Sequence, residues 1–160
     1  MPIIHEASSI THAHEISKVS CGIYTFVLWE LLKNADKASI LVGLEKARKY
    51  YEYSEVIHHF SKLFSIPKNV KKREEIKSAG YVVDTLETAI WCILTTNHYK
   101  SCVLTAVNLG DDTDTVASIA GGLAGALYGF HGIPKDWINK LKKKDYIEKM
   151  CEEACSNWKR

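Results

Sequence analysis

"GDDTDTVASIAGGLAGALYG", residues 110–129, sets three aspartates and two threonines directly ahead of an apolar run rich in glycine and alanine. Gly121, Gly122 and Gly125, with Ala120, Ala124 and Ala126, describe a helix whose surface lies close to its own backbone. Each interior glycine costs about 1 kcal/mol of helix stability relative to alanine, a cost that close helix packing offsets. The run is therefore read as a central, buried helix with its acids at the floor of a cleft.

Outward from this stretch the pattern stays helical. Residues 15–32 are apolar on most sides, with Ile16, Val19, Ile23, Phe26 and Val27 at helical spacing, and predict a central helix. Residues 36–53 carry Ile40, Leu41, Leu44, Ala47 and Tyr51 on one face and lysines on the other, as a surface helix does. Residues 54–64 predict a third helix that stops before Pro67, and a polar connector follows over 68–78. Asp84, with Glu87 three residues on, reads as an N-cap and capping-box partner of a helix reaching about Thr95. Further helices are expected over residues 99–107, in "IPKDWINKLKK" with Pro134 in its first turn, and in "DYIEKMCEEACSNW". No alternating strands, repeats or linkers interrupt them. The expectation is a single all-α domain over residues 1–160.

Composition narrows the function classes. At 160 residues, 46% hydrophobic and 25% charged, the chain is an ordinary globular one. A formal net charge of +2, with no basic segment interleaved with aromatics, gives no reason to expect nucleic acid. The five cysteines form neither a CxxC pair nor a disulfide framework, which suits reduced thiols in the cytoplasm. The first residues lack the basic and apolar regions of a signal peptide, and residues 116–133, barely long enough for a span, rich in glycine, with acids at one end and His131 inside the other, read as a buried core helix.

The acidic cluster admits two readings. Asp and Thr are favoured helix caps, and first-turn acids gain about 0.3–1 kcal/mol from the helix dipole. Alternatively Asp112, Asp114 and Thr115 aim oxygen donors at a hard cation, Mg²⁺, Mn²⁺ or Ca²⁺, which would relieve the repulsion of adjacent carboxylates. An EF-hand is excluded, because counting from Asn108 puts Thr113 at the sixth position and Ile119 at the twelfth. Spacing alone leaves caps and cation level.

Three blocks add to this. "AVNLGDDTDTVASIAGGLAGALYG" followed by "IPKDW", "SAGYVVDTLETAIWCIL", and "SSITHAHEISKVSCGIYTFVLWELL" with its Thr-His pair together resemble the ADP-ribosylglycohydrolase family. That family holds the dinitrogenase-reductase-activating glycohydrolases and a lens crystallin relative. The resemblance implies an orthogonal helix bundle with a binuclear Mg²⁺ or Mn²⁺ centre that hydrolyses the bond between ADP-ribose and a protein side chain or small acceptor. It places Asp112, Asp114 and Thr115 at metal-ligand positions, with Asp111 contributing charge. It puts His12 near the ribose of ADP-ribose, and Ser78, Gly80 and Tyr81 in a loop near the nucleotide; His58 and His59 receive no role.

The resemblance is to the C-terminal portion of the family alone. The Gly-Asp-rich and Thr-Asp-Asp-Thr segments that supply the opposite metal ligands have no counterpart here, so the bundle is expected to lack its N-terminal helices. No catalytic residue is identified. The cation site is at most a half-site, and catalysis by this chain alone is expected to be absent or much reduced. Self-association, a separately encoded N-terminal half or local rearrangement would cover the exposed faces. The partner expected is ADP-ribose or an ADP-ribosylated substrate. The alternative is a non-catalytic relative that binds the nucleotide or serves a structural role.

Overall fold

The computed structural model describes residues 1–66 and 72–158. Among these the regular structure is entirely helical, in agreement with the all-α class. The helices are α1 (Pro2–Ser9), α2 (Glu15–Asn34), α3 (Lys37–Tyr50), α4 (Ser61–Ser65), α5 (Val82–Thr95), α6 (Tyr99–Val107), α7 (Thr113–Tyr128), α8 (Lys135–Lys140) and α9 (Lys144–Trp158). Short 3₁₀ turns occupy Ile57–Phe60, Arg73–Glu75 and Phe130–Gly132.

Local chemistry sets most boundaries. α1, which the apolar periodicity does not announce, starts with Pro2, where a missing N–H costs nothing. It is tied down by His5, whose Nε2 lies 2.7 Å from the Tyr51 hydroxyl. α2 opens at His14, whose Nδ1 accepts from the Ile16 N–H at 3.2 Å, and closes where Ala35 turns left-handed at φ 49°. α3 opens at Asp36, whose Oδ1 accepts from the N–H and the hydroxyl of Ser39, each at 2.7 Å.

Two boundaries differ from the sequence reading. Asp84 is not the N-cap of α5: the chain turns at Gly80, Tyr81 is the cap residue, and Asp84 lies inside the first turn. Residues 54–64 do not form one helix but a 3₁₀ turn running into α4. Phe60, Leu63 and Ile66, all buried, anchor this stretch in the core. The expected stop at Pro67 and the connector up to residue 71 lie outside the described residues.

The core joins α2, α3, α5, α6 and α7. Val19, Ile23, Val27 and Leu31 of α2 meet Ile40 and Leu44 of α3, Ile90 and Ile93 of α5, and Val116 and Leu123 of α7, all buried in one cluster. α2 and α3 touch backbone to backbone: a Cβ on Gly43 would stand 2.6 Å from the Val27 Cα, so glycine there permits the crossing. The same pair is tied by Glu30, which accepts from Lys46 at 2.9 Å and Lys33 at 3.3 Å although it is only 5% exposed. Lys46, then Lys33, hold that carboxyl below its usual range against the opposing effect of burial. Lys37 docks α3 on the end of α5, its ammonium donating to the carbonyls of Leu94 (3.1 Å) and Thr96 (2.5 Å) and to Asn97 Oδ1 (3.0 Å). These are carbonyls that a helix end leaves without internal partners.

Neither helix expected to be central is enclosed on every side. α7 buries Val116, Ala120, Leu123 and Ala124 and leaves its opposite face partly open; α2 buries one face, with Trp29 and Leu32 exposed. The close approach expected of the α7 glycines is present at two positions. The Tyr99 hydroxyl lies 3.4 Å from a Cβ built on Gly121, and the Tyr24 hydroxyl 2.5 Å from one on Gly122, whereas Gly125 faces open space. Among the described residues no helix is long and apolar enough to cross a membrane.

Candidate functional site

The acids stand where α6 hands over to α7. α6 ends at Asn108, whose carbonyl accepts from Arg73 Nη2 at 2.5 Å. The chain then turns through Gly110 (φ 97°) and Asp111 (φ 56°) before Asp112 takes the N-cap position of α7. Asp112 is a cap residue by position only: no helix N–H donates to its side chain. Its Oδ1 accepts instead from the Thr115 hydroxyl at 2.8 Å, while its main-chain carbonyl accepts from the Val116 N–H at 3.2 Å. Asp114 follows in the first turn and is exposed. None of the three aspartates pairs with a lysine or arginine among the described residues. The carboxylates are therefore neither spent as side-chain caps nor neutralised within the described fold, which weighs against the capping reading.

A second segment clasps this turn. The Ser78 carbonyl accepts from the Asp112 N–H at 3.0 Å, and the Ser78 hydroxyl lies 3.5 Å from Asp111 Oδ2. Gly80, at φ 75°, passes so close that a Cβ there would stand 3.1 Å from Asp112 Oδ2. The loop is anchored to α5 in turn by Thr88, whose hydroxyl donates to the Lys77 carbonyl at 2.6 Å. The fold thus brings Ser78 and Gly80 onto Asp111 and Asp112 across more than thirty residues of sequence. Tyr81, 46% exposed, stands at the same turn with its ring open to solvent. His12 lies ahead of α2, exposed, with Nδ1 2.9 Å from the Thr11 hydroxyl; no hydrogen bond or ion pair among the described residues joins it to the aspartates. Thr88 is a supporting residue that sequence reading missed, because a threonine inside a buried helix looks like any other packing residue.

Between them α2, α5 and α7 leave a largely apolar recess of about 240 Å³, bordered by Tyr24, Val82, Leu86 and Ile119; none of the aspartates lines it. Burial pushes the Tyr24 hydroxyl above its usual range, and that hydroxyl lies against Gly122 of α7.

By donor type Asp112, Asp114 and Thr115 suit a hard cation, and the fold joins Asp112 to Thr115, while no hydrogen bond among the described residues joins Asp114 to either. All three offer oxygen only, and among the described residues no three His, Cys, Asp or Glu side chains converge as a metal-holding group. Mg²⁺ is held in this way by one or two carboxylates while it keeps several waters.

The sequence model of the ADP-ribosylglycohydrolase family matches residues 2–160. The chain belongs to the ADP-ribosylglycohydrolase family. It is 49% identical over 156 residues to the ADP-ribosylarginine hydrolase Tri1 of Serratia proteamaculans, a match covering 91% of this chain and 38% of that protein. It is 30% identical over 143 residues to the ADP-ribosyl-[dinitrogen reductase] glycohydrolase of Rhodospirillum rubrum, covering 89% and 44%. A solved structure described as an ADP-ribosylglycohydrolase-related protein complex superimposes with a TM-score of 0.74 at 25% identity, covering 90% of this glycohydrolase-family chain and 48% of the other. The chain thus spans less than half the length of each of these relatives.

Proposed function

We propose that this chain contributes to an ADP-ribosylglycohydrolase site, binding the ADP-ribosyl group through a divalent cation at the start of α7 and taking part in hydrolysis of its bond to an arginine side chain. The observation that carries this reading is the state of Asp112: a cap residue with no cap bond, clasped by Ser78 and Gly80 and without a cationic partner among the described residues. The arginine acceptor is inferred from relatives named ADP-ribosylarginine hydrolases in Serratia proteamaculans and Pseudomonas putida, 49% and 35% identical.

Asp112, Asp114 and Thr115 would hold Mg²⁺ or Mn²⁺. Bound there, the cation would supply a template for ribose hydroxyls and acidify a water. The chain's own residues prepare that position. Thr115 orients Asp112 by its hydrogen bond, the Ser78 carbonyl fixes the Asp112 main chain, and Gly80 leaves room for the carboxylate. Tyr81, exposed beside this turn, offers a ring face to a base. Binding without turnover is the second reading, favoured by a donor set that suits one hydrated ion and not a pair.

Calorimetric titration of ADP-ribose into the chain, with and without Mg²⁺, tests the proposal. The expected result is Mg²⁺-dependent binding that is lost in Asp112→Ala, Asp114→Ala. Binding that ignores both Mg²⁺ and the double substitution would reject it.

A further inference from the structure

α9 stands off the core: no residue from 144 to 157 is buried. Its sequence is nonetheless not that of a helix surrounded by water. Tyr146, Ile147, Met150, Cys151 and Ala154 fall at i, i+1, i+4, i+5 and i+8 and form one apolar stripe, with the charged residues on the remaining side. Tyr146 is 61% and Met150 52% exposed. Along the Ile147 edge of the stripe runs a largely apolar cleft of about 650 Å³, walled by Phe130, Trp137 and Ile147 and also by Lys144, Glu148 and Glu152. An exposed apolar stripe of this kind marks a place of contact.

The charges identify the occupant. Residues 140–145 hold Lys140, Lys142, Lys143 and Lys144 against Asp145, whereas residues 146–157 hold Glu148, Glu152 and Glu153 against Lys149. Lys143 and Lys144 stand at the positive end of the helix dipole, where acids and not bases are favoured. Lys144 meets Glu148 at 3.7 Å and Lys149 meets Glu153 at 3.9 Å, while Lys140, Lys142, Lys143 and Glu152 make no ion pair among the described residues. A second α9 laid antiparallel along the stripe brings the lysine end of each copy onto the glutamate end of the other. A parallel copy would set like charges together. The antiparallel pair is two-fold symmetric, as most dimers are, and each end complements the other.

We propose that α9 is a homodimerisation helix, pairing antiparallel with α9 of a second copy of this chain through the stripe over residues 146–154. Two 15-residue helices, each about 22 Å long, make a contact at the small end of specific interfaces, so the copies exchange and the exposed thiols stay reachable. The inference does not depend on the activity proposed above.

Size-exclusion light scattering of the 160-residue chain over a concentration series should show the mass rising from one chain toward two. Met150→Asp should weaken the dimer at least about 10-fold. It should leave the melting temperature of the dilute chain unchanged, because Met150 lies outside the core. A charge exchange tests the orientation. Lys142→Glu with Lys143→Glu, and Glu152→Lys with Glu153→Lys, should each self-associate more weakly than the parent, and an equal mixture of the two should form the heterodimer in native mass spectrometry. Mixing would not repair a merely unwound α9, so this rescue reports paired charge. A chain that stays monomeric at every concentration, a Met150→Asp variant that associates as the parent does, or a mixture without heterodimer overturns the proposal. A lower melting temperature of the dilute Met150→Asp chain overturns it too, because the stripe would then be covered within the chain itself.

Discussion

Replacing Gly80 by alanine separates two consequences of a single methyl group. Gly80 sits at φ 75°, where an L-residue incurs about 1–2 kcal/mol of steric strain. For a chain of this size, at about 2–4 °C per kcal/mol, the melting temperature should fall by roughly 2–8 °C. The methyl would also stand 3.1 Å from Asp112 Oδ2 and 3.6 Å from its Cβ, so the carboxylate must give way by a few tenths of an ångström. Gly110 provides the control, with φ 97° and nothing within 4 Å of a built Cβ. Both variants should melt lower by comparable amounts. Only Gly80→Ala should weaken Mg²⁺-dependent ADP-ribose binding, by about 10-fold, the lower end of what disturbing a supporting contact costs a metal site. Scanning fluorimetry reads the first effect and calorimetry the second. Equal weakening in the two variants, or unchanged binding in Gly80→Ala, would refute the idea that the loop positions the acid.

Other outcomes follow from the core. Lys37→Met removes the charged donor to the Leu94 and Thr96 carbonyls and should destabilise the chain by about 1.5–3 kcal/mol in denaturant unfolding. Burial pushes the Cys92 thiol up to about 12 and the Cys102 thiol up to about 11. Thiol titration at neutral pH should therefore label Cys21, Cys151 and Cys155 readily, and Cys92 and Cys102 only on unfolding. Glu30 is held below its ordinary 4.5, so the unfolded chain takes up this proton first as pH falls. Its contribution should be intact above about pH 4.5 and lost below it, and a melting profile from pH 7 to 3 should be shallower on the acid side for Glu30→Gln.

Helix class and most helix positions were legible because they depend on local chemistry. Apolar spacing placed α2 and α3, and the density of small residues marked α7 as a close-packing helix. α1 was not legible: eight residues give too short a window for periodicity, and its anchor, the His5–Tyr51 contact, spans 46 positions. Asp84 resembled a cap because the turn that starts α5 is made by Gly80, whose positive φ no spacing rule reveals. The acids of the site could be read directly. Their state could not, because whether Asp112 caps its helix or is left open depends on Thr115 and on Ser78, 34 positions upstream. The exposure of one face of α2 was invisible for a similar reason, since an all-round apolar helix reads the same whether its second face is met by this chain or by another part of the fold.

The claim on which the account turns is that the start of α7 is a cation site and not a well-capped helix end. The measurement that tests it most directly is Mn²⁺ titration followed by electron paramagnetic resonance of the free ion. It would compare the parent chain, Asp112→Ala with Asp114→Ala, and Asp136→Ala with Asp145→Ala, two acids that occupy the first turns of α8 and α9. The account predicts depletion of free Mn²⁺ by the parent and by the Asp136, Asp145 variant, and none by the Asp112, Asp114 variant. Equal depletion by all three, or by none, would contradict it.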